Sequence, residues 1–152
     1  MTQTGVDDTF QIIPNRARGY GKTRNGVVRN TAFADTSNKI PAGGLISTVE
    51  DMGKFYIALQ SWMLVSQKTL EQAWTLQKTR DEQQIPYGLG WWVSERNGMK
   101  EVYHGGAAAG FSVFLYILPE KKVAVVLMAN MELLGQKQRD DLARQIADIV
   151  IR

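Results

Sequence analysis

The sequence predicts an α+β fold, an antiparallel sheet of about three to five strands packed with helices. Three observations carry this. Tyr87 to Asn130 holds three or four consecutive strand patterns. A helix pattern with its own start signal precedes that stretch. A second apolar-striped helix follows it and runs to the C-terminus.

The strand patterns begin at Asn97-Gly98. Asn-Gly between runs rich in aromatic and β-branched residues favours a type I′ hairpin turn, because both central residues need φ > 0. A two-residue loop sets Arg96 opposite Met99, Glu95 opposite Lys100, Val93 opposite Val102, Trp92 opposite Tyr103 and Trp91 opposite His104. The Glu95–Lys100 and Trp92–Tyr103 pairs are favourable cross-strand neighbours. Gly105 to Gly110 reads GGAAAG and carries no bulk. Two readings are open to it: a bulge or strand corner, or bare backbone that a ligand approaches closely. Phe111 to Leu118 is apolar on both faces, with Ser112 as its polar exception, and Val123 to Met128 is unbroken apolar. Such strands are expected to be buried on both sides by helices. Pro119 to Lys122 makes the turn between them.

Upstream, Met1 to Lys39 is poor in periodicity. Asn25-Gly26 suggests a small hairpin with Ala17–Arg24 and Val27–Ala34 as arms. Arg16, Arg18, Lys22, Arg24 and Arg29 make the segment basic, and a solvated surface is favoured over an anion site. Gly21-Lys22-Thr23 is no phosphate loop, since Arg16 stands where the earlier glycine is required. Ser47-Thr48-Val49-Glu50 reads as a capping box, with Met52, Phe55, Tyr56 and Leu59 as the apolar face of a helix from Thr48 to Gln60. A second helix, capped by Ser66, is expected over Gln67–Gln77 with Leu70, Ala73 and Trp74 inward. Lys78 to Pro86 is a polar loop. The last helix starts between Gly135 and Asp140 and runs to the end, with Asp140-Asp141 at its positive end and Leu142, Ile146, Ile149 and Val150 as its apolar stripe.

The 152 residues suffice for one domain spanning the whole chain, residues 1–152, with a sizeable core. A net charge of +3 gives no reason to expect nucleic acid. No cysteine is present, which excludes disulfides and thiolate metal sites. The single histidine, His104, excludes a two-His metal site. No cofactor and no metal are expected. No apolar run is long enough to span a bilayer, and MTQTGVDDTF shows no leader pattern.

Gly110-Phe111-Ser112-Val113-Phe114 is half of a G-x-S-x-G elbow, without its second glycine and inside a strand run, so Ser112 reads as a strand residue. No serine has a nucleophile's context. On chemistry alone His104 is a hydrogen-bonded structural residue more readily than a catalyst. What remains is a site-like Gly/Ala edge beside a histidine.

Several blocks in order resemble the C-terminal part of the serine β-lactamase-like hydrolases, the class C β-lactamase, D-alanyl-D-alanine carboxypeptidase and esterase type. Met1-Thr2-Gln3-Thr4 resembles the end of a "GM-x-x-T" loop. Ala17-Arg18-Gly19-Tyr20 resembles "A-x-G-Y". Pro41 to Leu59, PAGGLISTVEDMGKFYIAL, is similar to the "AGGL-x-ST-x-x-D" helix start. Tyr87 to Trp91 resembles "YGLGW", and His104-Gly105-Gly106 resembles the third motif. The resemblance implies a β-lactamase/transpeptidase-like fold.

That family uses a serine in S-x-x-K, a tyrosine or serine in Y-x-N, and K-T-G or H-x-G on the opposite strand. Ser37, Ser47, Ser61, Ser66, Ser94 and Ser112 are followed three residues on by Ile40, Glu50, Leu64, Thr69, Asn97 and Leu115, and no tyrosine has Asn two residues on. The resemblance therefore implies a C-terminal portion, inactive alone, whose partner is the missing N-terminal portion of the same domain. It places His104, Gly105 and Gly106 at the third motif and gives Ala107 one backbone N–H of the oxyanion hole. H-x-G leans toward a small ester, amide or peptide substrate without a carboxylate for a permanent cation to hold. The alternative is a non-catalytic binding or dimerisation module that keeps this half-fold. A third, weaker reading is an unrelated small α+β domain with no site. Both-sided apolar strands stripped of their cover imply self-association. The family is often periplasmic or secreted, and the sequence leaves the compartment open.

Overall fold

A computed structural model describes residues 1–132 and 136–152, Gln136 by its backbone alone. In chain order the elements are β1 (Gly5–Val6), β2 (Tyr20–Lys22), β3 (Val28–Asn30), α1 (Ile40–Gly43), β4 (Leu45–Ile46), α2 (Val49–Gln60), α3 (Gln67–Ala73), β5 (Trp92–Arg96), β6 (Met99–Ala108), β7 (Phe111–Leu118), β8 (Val123–Ala129) and α4 (Gln136–Val150). β5-β6-β7-β8 form an antiparallel sheet in that order, and β1-β4 and β2-β3 are two-stranded ribbons. The expected α+β class is the one observed.

The β5–β6 hairpin turns at Asn97 (φ 54°) and Gly98 (φ 73°), both left-handed as a type I′ turn requires. The pairs from Trp92–Tyr103 to Arg96–Met99 form in the expected register. The Trp91–His104 pair does not. Gly90 sits at φ +82° and turns the chain, so β5 begins at Trp92 and Tyr87 bridges back to Trp92 instead.

Gly105 to Gly110 is neither a bulge nor a corner. The β6–β7 ladder runs unbroken from Val102–Ile117 to Ala108–Phe111, and Ala109-Gly110 is its two-residue turn, with Gly110 at φ +86°.

From Phe114 to Leu118 β7 is buried on both faces, as its sequence requires, whereas Val113 is 39% exposed. Leu115 and Ile117 join Val102, Tyr56, Leu59, Leu70 and Trp74 in a core beneath α2 and α3. Phe114, Tyr116 and Leu118 join Val125, Ala143 and Ala147 in a second core beneath α4. Side chains of this size each contribute about 1.5–3 kcal/mol when fully buried. The second core includes a buried polar cluster. Glu101 accepts from Tyr116 Oη (2.6 Å), Ser94 Oγ (2.9 Å), Arg96 Nε (2.8 Å) and Arg144 Nε (3.2 Å). Burial and that carboxylate push the Tyr116 hydroxyl up to about 12.

The helix ends differ from expectation in three places. The cap of α2 is Thr48, whose side chain accepts from Asp51 N, because the Ser47 hydroxyl is engaged with Thr4 Oγ1 at 2.8 Å. α3 is capped by Ser66 as expected but stops at Ala73. Gln77 N donates to Tyr87 O (3.0 Å) rather than to Ala73 O, which accepts from Leu89 N (2.9 Å). α4 begins at Gln136, so Asp140 and Asp141 fall in its second turn, while Gly135 lies outside the described residues. Its inward stripe is Arg139, Ala143 and Ala147, with Ile146 beside them. Leu142, Ile149 and Val150 are 41%, 67% and 62% exposed. Alanine at two successive turns lets α4 lie close on the sheet, which rotates the larger residues outward.

The first hairpin is shorter than its expected arms. Its pairs, Tyr20–Asn30, Gly21–Arg29 and Lys22–Val28, enclose a longer loop in which Gly26 alone has positive φ (+83°). Among the described residues no helix is long and apolar enough to cross a membrane.

Candidate functional site

β6 is paired on both sides only as far as Tyr103. Beyond it, His104 to Ala108 have β7 as their sole ladder partner among the described residues. A stretch of bare strand with one free edge results, and Ala107 and Ala108 are exposed along it. The structure thus brings the four sequence-predicted residues, His104, Gly105, Gly106 and Ala107, onto one unbroken strand.

His104 stands exposed at the head of that strand, and its Nε2 lies 2.9 Å from the Tyr87 hydroxyl. The two rings meet edge to face, 6.0 Å apart. Tyr87 in turn packs edge-on against Trp92 at 4.9 Å. The YGLGW segment is built to hold this ring. Its Tyr87 carbonyl accepts from Gln77 N, and Gly88 N donates to Trp91 O at 2.7 Å. A side chain at Gly88 would run into the Ala73 carbonyl, so only glycine passes the end of α3 there.

Behind the strand, on the α4 side, lies Arg139, 3% exposed. Its Nη1 donates to Gly106 O (3.3 Å) and Val113 O (3.1 Å), and its guanidinium sits 4.7 Å over the Phe114 ring. A Cβ on Gly105 would come within 2.5 Å of Arg139 Nη2 and 2.9 Å of Phe114 Cδ2. One on Gly106 would meet Val113 Cγ2 at 3.5 Å, an ordinary contact. The first glycine of the triplet is therefore demanded by its neighbours, and the second is not.

The far end of the strand is clamped. Thr31 Oγ1 donates to Gly19 O (3.0 Å) and Ala109 O (3.2 Å). A Cβ on Gly110 would come within 2.6 Å of Gly19 Cα. Tyr20 N donates to Asn130 O, and Glu132 N donates to Tyr20 O. The A-x-G-Y segment thus ties the turn after β6 to the end of β8. Beside Ala109, Lys22 and Arg29 line a cavity that Glu132 also borders.

Away from the strand, the first and third resembling blocks touch each other. Asp51 is fully buried and accepts from Gln3 N (2.7 Å), Thr4 Oγ1 (3.0 Å) and Lys54 Nζ (3.0 Å). Ser112 is a buried strand residue opposite Ala107, not an elbow.

Sequence reasoning missed Tyr87, Arg139 and Thr31 as neighbours of this strand. For Tyr87 a signal existed, since its segment was one of the recurring blocks. For Arg139 there was none, because an arginine in a polar helix run reads as solvated. Chemically, the arrangement offers a rigid backbone edge and an imidazole at its head, and among the described residues no serine hydroxyl is bonded to a lysine or histidine.

Comparison with known proteins agrees with this architecture. A beta-lactamase family model matches residues 1–149. The serine beta-lactamase-like protein LACTB, mitochondrial, of Mus musculus is 28% identical, over 80% of this chain and 27% of its own length. The Bos taurus protein of the same name is also 28% identical, over 84% of this chain and 28% of its own. The chain thus spans little more than a quarter of these relatives.

Among solved structures, the octameric penicillin-binding protein homologue from Pyrococcus abyssi superposes with a TM-score of 0.71 and 24% identity, over 86% of this chain and 30% of that one. A D-stereospecific amidohydrolase from Streptomyces sp. gives 0.72 and 22% identity, over 93% and 43%. These structural likenesses bear on the fold. The family match covers nearly every residue, and the chain belongs to the beta-lactamase family of serine β-lactamase-like hydrolases.

Proposed function

We propose that this chain is the C-terminal, third-motif portion of a serine acyl hydrolase. His104, Gly105 and Gly106 line the substrate side, and the Ala107 N–H is one of two oxyanion donors. The other donor and the acylated serine belong to a missing N-terminal portion that carries S-x-x-K and Y-x-N. The substrate is a small ester, amide or peptide. The observation that carries this reading is the free edge of β6 past Tyr103, where bare backbone lies open beside His104. An oxyanion site needs just such fixed N–H groups at an edge a substrate can reach.

Reading the encoding locus upstream of Met1 is the first test. In-frame S-x-x-K and Y-x-N support the proposal. Their absence behind a genuine start favours the binding-module alternative. With the complete protein in hand, Ala107→Pro removes the one N–H at issue and is expected to lower kcat by about 10²–10³-fold. The chain alone should leave a p-nitrophenyl ester and a chromogenic β-lactam unhydrolysed, and turnover by it would overturn the assignment.

A further inference from the structure

We propose that Tyr87 is a positioning residue of this site, whose hydroxyl donates to His104 Nε2 and holds the neutral imidazole with its proton on Nδ1. The proposal rests on reading His104 as a site residue. It assigns a role to a tyrosine outside the three motifs.

The geometry has three parts. The hydroxyl and Nε2 are 2.9 Å apart, and among the described residues this is the hydrogen bond of the His104 side chain. The tyrosine is held from several sides. Its carbonyl accepts from Gln77 N, its ring rests on Trp92, and the following glycine is wedged against the end of α3. Gly90, at φ +82°, closes the loop back onto β5. A donor fixed this firmly before the histidine is placed selects the ring state that fits it.

The direction of the bond follows from acidity. A phenol O–H is a stronger acid than an imidazole N–H, and a bare imidazole nitrogen is a stronger base than a phenol oxygen. The proton between them therefore sits on Tyr87 Oη, with Nε2 accepting. The neutral ring must then carry its hydrogen on Nδ1. His104 so held offers an uncharged N–H donor. That suits a neutral acceptor, such as an ester or amide carbonyl, better than a carboxylate, which a permanent cation would hold more strongly.

One histidine makes the test clean. Long-range ¹H–¹⁵N correlation on the ¹⁵N-labelled chain, at a pH where histidine is neutral, reports both ring nitrogens of His104 alone. The wild-type chain is expected to show Nδ1 protonated and Nε2 bare. Tyr87→Phe keeps the ring on Trp92 and removes only the hydroxyl. It is expected to move Nε2 from the bare toward the protonated range, because the unconstrained ring prefers its proton there. A residue of merely structural importance would not move the tautomer.

An Nε2–H ring in the wild type overturns the proposal, and so does an unchanged Nδ1–H ring in a folded Tyr87→Phe. If Tyr87→Phe does not fold, the wild-type spectrum alone decides. This readout is independent of turnover. A complete protein without hydrolase activity would defeat the hydrolase reading and leave the tautomer result intact. The reverse outcome removes Tyr87 and leaves the hydrolase reading standing.

Discussion

Gly105 and Arg139 are a matched pair separated in sequence by two strands and a connection. The glycine leaves the space that the guanidinium fills, and the guanidinium bonds the Gly106 and Val113 carbonyls from behind. Gly105→Ala forces the guanidinium and the Phe114 ring apart. Overpacking of this kind costs about 1–3 kcal/mol, which should appear as a lower denaturation midpoint. Gly106→Ala meets only an ordinary contact and should stay within about 0.5 kcal/mol of wild type. Equal stability of the two variants would show that Arg139 does not set the glycine requirement. The triplet was legible in the sequence as a landmark, and the reason for its first glycine was not. That reason is a charged residue on the last helix, and sequence pattern alone assigns such a residue to water. The Tyr87 segment stands out as a resembling block, but its contact does not, since a hydroxyl reaching a histidine 17 residues on leaves no periodic trace.

At the scale of elements, α2 shows how far local signals reach. Its boundaries, Thr48 to Gln60, and its face were legible, because caps and the i, i+3, i+4 spacing are local properties. The cap itself shifted from Ser47 to Thr48, because Thr4, 43 residues away, takes the serine hydroxyl. The stripe of α4 was misread for a related reason. Apolar size marks Leu142, Ile149 and Val150 in the sequence, but close packing puts Ala143 and Ala147 inward.

Asp51, in the first turn of α2, then pins the N-terminal segment to the helix. Burial pushes its carboxyl up. Donors from Lys54, the Gln3 N–H and the Thr4 hydroxyl outweigh that and hold it down, from 3.8 to about 2. The folded value is the lower one. Its contribution to stability is therefore complete above the unfolded value and is lost as pH falls from about 4 toward 2. Asp51→Asn should lose stability at neutral pH and flatten the acid limb of the stability–pH curve over that window. Denaturation midpoints of both proteins from pH 7 down to pH 2 check this. An acid limb as steep in the variant as in wild type would assign the acid sensitivity to another group, Glu101 first. Burial pushes the Glu101 carboxyl up as well. The Tyr116, Arg144, Arg96 and Ser94 donors override that and hold it below the usual carboxylate range.

The four-stranded sheet is covered on its faces, and among the described residues its β8 edge carries no further strand. α2 and α3 cover one side of the sheet and α4 the other, which answers the apolar demand of β7. β8 is the last strand of the sheet order, so the edge it turns away from β7 carries no strand among the described residues. Met128, on the α2 side of β8, is 36% exposed, and on the other side of the sheet the outer face of α4 shows Leu142, Ile149 and Val150. An open strand edge and an apolar helix face are each surfaces that pair. On the proposed reading, an N-terminal portion covers them in the complete protein, and the chain alone covers them with a second copy. Sedimentation velocity across a wide concentration range should show concentration-dependent self-association of the isolated chain. Leu142→Lys with Ile149→Lys should weaken that association without unfolding the chain, since both side chains already face solvent. Joining the N-terminal portion should abolish it. A strictly monomeric profile at high concentration would mean that β8 and α4 are not adhesive as they stand. Association that survives the lysine pair would move the contact to the strand edge alone, where Met128→Pro, which removes an outward-facing backbone donor from β8, discriminates between strand addition and exchange of a whole segment.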